Sequence, residues 1–210
     1  MIRVMLLCLL LTGPATAQTQ PRDWTPEAAV AMIVEGMIHG LDHGLDHHPE
    51  IARLIAEKPD EMTRAALAYG EPLDWRALEQ YSASERNRLE RLIQLYGRLD
   101  TLFARRVLTE WYLATADAAV RSEDELPGPA ERLSYLILTA AAPEGTPQLS
   151  ALLLERWPNM SLREKGQVMR YLGQAGQSDP AVFEGVKRLD PQTAEEKALI
   201  DWLIDRLEGN

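Results

Sequence analysis

The four histidines of this 210-residue chain all lie between positions 39 and 48. Three of them fall in the stretch GLDHGLDHHP, residues 40–49, in which the tetrapeptide GLDH occurs twice. His39, His43 and His47 are spaced four residues apart, so neighbouring imidazoles meet on one face if the stretch is helical. Neutral imidazole is a good ligand for zinc, copper and nickel. The spacing therefore indicates a site for a divalent transition metal.

Further ligands for such an ion would be carboxylates or water, because the sequence after residue 17 has no cysteine and no other histidine. His39 and His47 are about 12 Å apart along a straight helix, so a single ion would be held by one neighbouring pair of histidines. The predicted ligand set is His39, His43, His47, His48, Glu35, Asp42 and Asp46.

Two other interpretations of this polar face are open. A polar stripe opposite an apolar stripe is typical of any solvated amphipathic helix, and a tandem tetrapeptide can arise by local duplication. Histidine also titrates near pH 6.5, so the cluster beside Asp42 and Asp46 would make a pH-responsive contact.

The face depends on a helix that begins at the N-cap Thr25 and continues to His48, where Pro49 disfavours the helical conformation. Its apolar side would be Val30, Ile33, Val34, Met37, Ile38, Leu41 and Leu45. Gly36, Gly40 and Gly44 form a third stripe, and glycine costs up to about 1 kcal/mol within a helix. Either another helix approaches closely there, or the helix already ends near Gly40.

Start and stop signals along the rest of the chain are those of helices, and alternating strand patterns are missing from the sequence. Capping boxes are predicted at Ser82/Glu85, Ser161/Glu164 and Thr193/Glu196. The longest helix is predicted from about Ala83 to Val120, with a possible bend at Gly97 or Asp100. Its buried stripe would be Leu89, Leu92, Tyr96, Leu99 and Phe103. The fold class is all-α, a bundle of helical hairpins.

The C-terminal third contains a weak internal repeat of two helical hairpins. Thr146-Pro147 and Ser178-Asp179-Pro180 begin short helices, while Ser161 and Thr193 cap the helices that follow them. The two helix starts, at Thr146 and Ser178, are 32 residues apart, and so are the two caps, Ser161 and Thr193. This period resembles the unit of a short α-solenoid, although two unrelated hairpins would give a similar pattern.

The first 17 residues, MIRVMLLCLLLTGPATA, have the order of a secretory signal peptide with cleavage after Ala17. Cleavage would leave 193 residues without cysteine, because Cys8 is the only one. We therefore predict a periplasmic or secreted protein that does not insert into the membrane after cleavage. Residues 18–126 would form an N-terminal helical part and residues 127–210 the C-terminal hairpins, in one continuous domain.

The chain carries a net charge of −10, which disfavours binding to nucleic acids and anionic lipids. Neither a glycine-rich phosphate loop nor a nucleophile elbow is present in the sequence. We predict an interaction module that binds another envelope protein and has no catalytic activity. The alternative is a protein that buffers or delivers zinc, copper or nickel through the face of His39, His43 and His47. If the chain were an enzyme, a metal-assisted hydrolase would be the class most compatible with the histidines.

Overall fold

The computed structural model describes residues 24–38, 41–70, 78, 80–99, 101–118, 128–142 and 146–209. Within this part of the chain the structure is helical and contains no strand, which confirms the all-α fold class. The predicted signal peptide, residues 1–17, lies outside the described residues. None of the described helices combines the length and the apolar composition needed to cross a bilayer.

The α-helices in chain order are α1 (Pro26–Val34), α2 (Leu41–Gly44), α3 (Pro49–Glu57), α4 (Pro59–Gly70), α5 (Ala83–Arg98), α6 (Leu102–Ala118), α7 (Pro129–Ala141), α8 (Pro147–Arg156), α9 (Leu162–Ser178), α10 (Pro180–Lys187) and α11 (Ala194–Glu208). Two 3₁₀ turns, Leu45–His47 and Trp157–Asn159, follow α2 and α8.

The helices pack as a row in which each contacts the next along one continuous apolar core. Helix α1 packs on α4 and α5, α5 and α6 both pack on α7, and α7 packs on α9, which in turn contacts α11. The core includes fully buried side chains at both ends of this row, from Ile33 in α1 to Leu203 in α11. Trp157 is 1% exposed and fills the core beneath the C-terminal hairpins.

The predicted helix from Thr25 to His48 is wrong beyond its start. Thr25 Oγ1 accepts a hydrogen bond from Ala28 N as expected for an N-cap, but α1 ends at Val34. The amide of Gly36 donates to Ile33 O and that of Met37 to Met32 O, the two hydrogen bonds of a Schellman C-cap. Gly36 has φ +78°, a left-handed conformation that glycine adopts without strain. The left-handed turn at Gly36 therefore terminates α1. Glu35 and the segment of His47 and His48 do not lie on one continuous helix.

The predicted helix from about Ala83 to Val120 is two helices, α5 and α6, and residues 119–120 lie outside the described part. Leu99 leaves the helical conformation with ψ 98°, and Thr101 Oγ1 accepts a hydrogen bond from Ala104 N at 3.0 Å to start α6. The predicted stripe is buried as far as Leu99, but Phe103 is 41% exposed. Because the chain leaves the helical conformation at Leu99 and α6 begins only after Thr101, the periodicity of α5 does not continue into α6.

The C-terminal hairpins begin where the sequence predicts. Thr146, Ser161, Asp179 and Thr193 each accept a hydrogen bond from an amide in the first turn of the helix they cap. Equivalent helices of the two hairpins contact each other, α8 with α10 and α9 with α11. That pairing is the arrangement of stacked hairpins in an α-solenoid.

Two of the three predicted capping boxes are complete, those of Ser82/Glu85 and Ser161/Glu164. The third is wrong in one half. Thr193 accepts from Glu196 N, but the Glu196 carboxylate accepts from Gln192 N and pairs with Lys165. A neighbouring hairpin supplies a cation that the local pattern does not reveal.

Candidate functional site

The described members of the predicted metal-ligand set lie on both sides of Gly36, with Glu35 before it and Asp46, His47 and His48 after it. Asp46 and His47 are exposed on the 3₁₀ turn that follows α2, and His48 is partly buried directly before α3. His39 lies outside the described residues, as do the side chains of Asp42 and His43.

Glu35 is held by residues of α4 and α5. The Tyr69 hydroxyl donates a hydrogen bond to Glu35 Oε1, and Arg88 Nη2 lies 2.8 Å from Oε2. The hydrogen bond from Tyr69 and the charge of Arg88 lower the pKa of the Glu35 carboxyl. Arg91 Nη1 donates to Val34 O at 3.1 Å and satisfies a carbonyl at the end of α1. Glu35 therefore joins three helices.

Within the described residues, no three histidine, cysteine or acidic side chains come together as metal ligands. Because that part of the chain omits several members of the predicted set, the zinc, copper or nickel site stays a prediction. The prediction assumed that Glu35 and the histidines lie on one continuous helix, and the turn at Gly36 interrupts that helix.

A groove of about 350 Å³ lies between α7, α9 and α11 at the C-terminal end of the row. Buried Leu138 and Met169 contribute to its apolar floor. Its polar and aromatic lining includes Tyr135, Gln167, Arg170, Gln174, Trp202 and Arg206, and we call it the arginine groove. Trp202 is 49% exposed, which is unusual for so large an apolar side chain.

The groove depends on a close approach of α9 to α11. A Cβ added at Gly176 would lie 2.9 Å from Leu207 Cδ2, and one added at Gly173 would lie 3.3 Å from Leu203 Cδ1. Leucines of α11 therefore pack directly against the backbone of α9. Residues one turn away on the same two helices, among them Arg170 and Arg206, line the groove.

Both arginines of the groove lie over aromatic rings. The Arg170 guanidinium is 5.9 Å from the centre of the Tyr135 ring, and its Nη1 donates to the Tyr135 hydroxyl at 2.5 Å. The Arg206 guanidinium is 5.5 Å from the centre of the Trp202 ring. These are cation–π distances, at which the ring attracts the cation and restricts its orientation.

The groove is locally cationic although the chain is acidic. None of its described lining residues is acidic, and neither Arg170 nor Arg206 has a carboxylate partner within the described part of the chain. Asp205 precedes Arg206, but adjacent residues of a helix point about 100° apart and do not face each other. Two guanidinium groups thus remain available to an anionic ligand.

Buried and half-buried ion pairs fix the three helices that form the groove. Lys165 Nζ lies 2.5 Å from Glu196 Oε1, with both side chains less than 10% exposed, and this pair joins α9 to α11. Arg163 Nη1 lies 3.5 Å from Glu131 Oε2 and Gln167 Nε2 donates to Glu131 Oε1, which joins α9 to α7. The groove is therefore lined by well-anchored helices.

A smaller groove of about 270 Å³ lies between α5 and the segment that follows α1. Glu90 and Arg91 both line it, beside Ile38 and Leu41. Because the charges of the Glu90 carboxylate and the Arg91 guanidinium cancel, this groove favours neither an anionic nor a cationic ligand. The arginine groove is the stronger candidate site for this reason.

No known protein family, curated protein or solved structure matches the chain. Function therefore has to be inferred from the chemistry of the site.

Sequence reasoning missed the arginine groove, although the 32-residue repeat contains a signal for it. Arg170 and Trp202 occupy equivalent positions of the two hairpins, and so do Gln174 and Arg206. Within each second helix the two residues are four apart and share a face. Stacking α9 on α11 brings these faces together, which the sequence pattern alone did not establish.

Proposed function

We propose that this chain is an exported binding protein of the cell envelope, without catalytic activity of its own, that holds a segment of another protein in the arginine groove. The observation that carries the proposal is the pair of arginines, Arg170 and Arg206, that lack carboxylate partners in the described structure and lie beside the exposed Trp202. Exposed Trp, Tyr and Arg are the side chains that most often dominate the energy of protein interfaces.

The form of the groove supports a protein ligand. It is bounded by three helices that are tied together by ion pairs, so it needs little reorganisation to bind. Its side chains combine an apolar floor with amide groups at Gln167 and Gln174, which suits an extended peptide segment with both polar and apolar atoms.

The lining favours binding over catalysis. Its described residues include neither histidine nor a carboxylate, the side chains that most often act as general bases at neutral pH. Guanidinium groups are cationic hydrogen-bond donors, which suits them to binding anions.

Site-specific photo-crosslinking tests the proposal. A photoreactive amino acid at Gln174, inside the groove, should capture one stoichiometric partner in the envelope of the producing cell. The matched control is Gln148, an exposed glutamine of α8 that does not line the groove. Equal products from the two positions would contradict the proposal.

Reconstitution with the purified partner completes the test. Trp202→Ala should weaken binding at least about tenfold, because a central aromatic anchor contributes more than 1 kcal/mol to most interfaces. Trp202 is half exposed, so the substitution should leave the helical content, measured by circular dichroism, unchanged. Unchanged affinity would show that the partner binds elsewhere.

A further inference from the structure

The side chains of the two groove arginines both lie at the same short stretch of α9, residues 170–173. A Cβ at Gly173 would lie 3.7 Å from both Cδ and Nε of Arg206, so the Arg206 side chain crosses α9 at that residue. Arg170 lies three residues earlier, about one helical turn away on the same face. Two side chains that are 36 residues apart in sequence therefore place two positive charges in one groove.

Two cations in one groove repel each other, and a bound anion would relieve the repulsion. Cation–π contacts with Tyr135 and Trp202 restrict the orientation of both cations without neutralising them. Each guanidinium carries five N–H donors, of which a ring contact uses none and the bond from Arg170 to Tyr135 uses one. Their remaining edges match the two oxygens of a carboxylate.

We infer that Arg170 and Arg206 form a carboxylate-binding subsite that takes neighbouring Asp or Glu side chains of the partner segment, with an apolar partner residue against Trp202. This inference rests on the proposed function and names the chemistry of its ligand. A carboxylate-bearing protein segment fits better than a polyanion, because the chain as a whole is acidic, with a net charge of −10, and repels nucleic acids and anionic membranes at long range. A short acidic segment would bring its few carboxylates only into the groove, next to Arg170 and Arg206, and not along the acidic rest of the surface.

The test is a titration of the purified protein with the peptide acetyl-Glu-Glu-Leu-Glu-Glu-amide, followed by the amide and indole signals of a ¹H–¹⁵N NMR spectrum. We expect saturable shifts of the Trp202 indole signal and weaker binding as the salt concentration rises. The matching peptide with Gln at every Glu position should bind at least tenfold more weakly. Inorganic phosphate and phosphatidylglycerol vesicles are run in parallel and should give smaller effects than the acidic peptide.

Charge-matched variants separate a specific subsite from general electrostatics. Arg170→Gln and Arg206→Gln should each weaken the acidic peptide about tenfold, because each removes charge-assisted hydrogen bonds. Arg188→Gln removes the same charge from an exposed position at the end of α10, outside the groove, and should leave affinity within twofold. Equal losses in all three variants would overturn the inference, and so would equal binding of the Glu and Gln peptides or preferred binding of phosphate or vesicles.

Crosslinking and peptide binding distinguish the carboxylate subsite from the partner-binding function. If the crosslinked partner binds Arg170→Gln and Arg206→Gln with wild-type affinity, the carboxylate subsite is wrong and the binding function stands. If position 174 captures no specific partner while the acidic peptide still shifts Trp202 in an arginine-dependent way, the carboxylate subsite stands and the partner-binding function is wrong.

Discussion

Gly36 directly follows Glu35, the C-cap of α1, and its left-handed conformation changes the direction of the chain. Its φ of +78° is costly for any residue with a Cβ, and an added Cβ would meet the Arg91 guanidinium that caps α1. Gly36→Ala should therefore lower the free energy of unfolding by about 1–2 kcal/mol, measured by urea denaturation.

Gly166→Ala is the matched control, since Gly166 lies inside α9 and a Cβ added there would point into open space. There the added methyl group should raise stability by up to about 1 kcal/mol, the helix-propensity difference between glycine and alanine. A loss of stability of the same size at both positions would contradict the role of Gly36.

We expect Glu35 to make the free energy of unfolding depend on pH. Its folded-state pKa lies below the ordinary value of 4.5 because Tyr69 donates a hydrogen bond to it and Arg88 lies beside it. The stabilisation is therefore complete above pH 4.5 and is lost as pH falls through the lowered pKa. The difference in stability between wild type and Glu35→Gln should be largest near neutral pH and shrink in acid.

Tyr69→Phe removes the donor and should reduce the same acid-sensitive difference. Urea denaturation at a series of pH values between 3 and 7 measures both effects. A constant difference between wild type and Glu35→Gln across that range would contradict the assignment.

The histidine segment, residues 39–48, is the predicted metal site. Calorimetric titration with zinc, copper and nickel should give heat that is lost when His39, His43 and His47 are all changed to alanine. Identical heats from the two proteins would remove the metal hypothesis. Because Glu35 is held by Tyr69 and Arg88, Glu35→Gln is expected to leave the metal heat unchanged.

At the scale of the helices, the buried pair Lys165–Glu196 joins α9 to α11. Removing one charge leaves the other buried without its partner, so Glu196→Gln should cost about 3 kcal/mol at neutral pH. The comparison is Asp201→Asn, which breaks the exposed pair of Lys197 and Asp201 at a similar distance of 2.6 Å. That change should cost no more than about 0.5 kcal/mol.

Chemical denaturation of both variants and of Lys165→Met/Glu196→Gln completes this test. The double variant should recover part of the loss, since it removes the unpaired charge. Equal costs for Glu196→Gln and Asp201→Asn would show that burial does not set the strength of the pair.

For the whole molecule, the N-terminal sequence predicts export and processing. Mass spectrometry of the protein recovered from the cell envelope should show a chain that begins at Gln18, with no cysteine. Recovery of the intact chain from the cytoplasm would contradict both the signal peptide and the envelope location of the proposed partner.

The sequence by itself determined the helical class and most helix starts, because caps such as Thr146, Ser161 and Asp179 act on amides two or three residues away. It also determined the spacing of the C-terminal hairpins. It did not determine where α1 ends, since Gly36 is compatible with a helix interior at a cost of only about 1 kcal/mol.

Only the tertiary structure decided which side chains meet across helices. Glu35 and Tyr69 are 34 residues apart, and Lys165 and Glu196 are 31 apart. Arg170 and Arg206 share a groove only because Gly173 and Gly176 let α11 lie against the backbone of α9. Hydrophobic periodicity indicates which face of a helix is buried but not which helix covers it, so a site built from three helices follows from their packing.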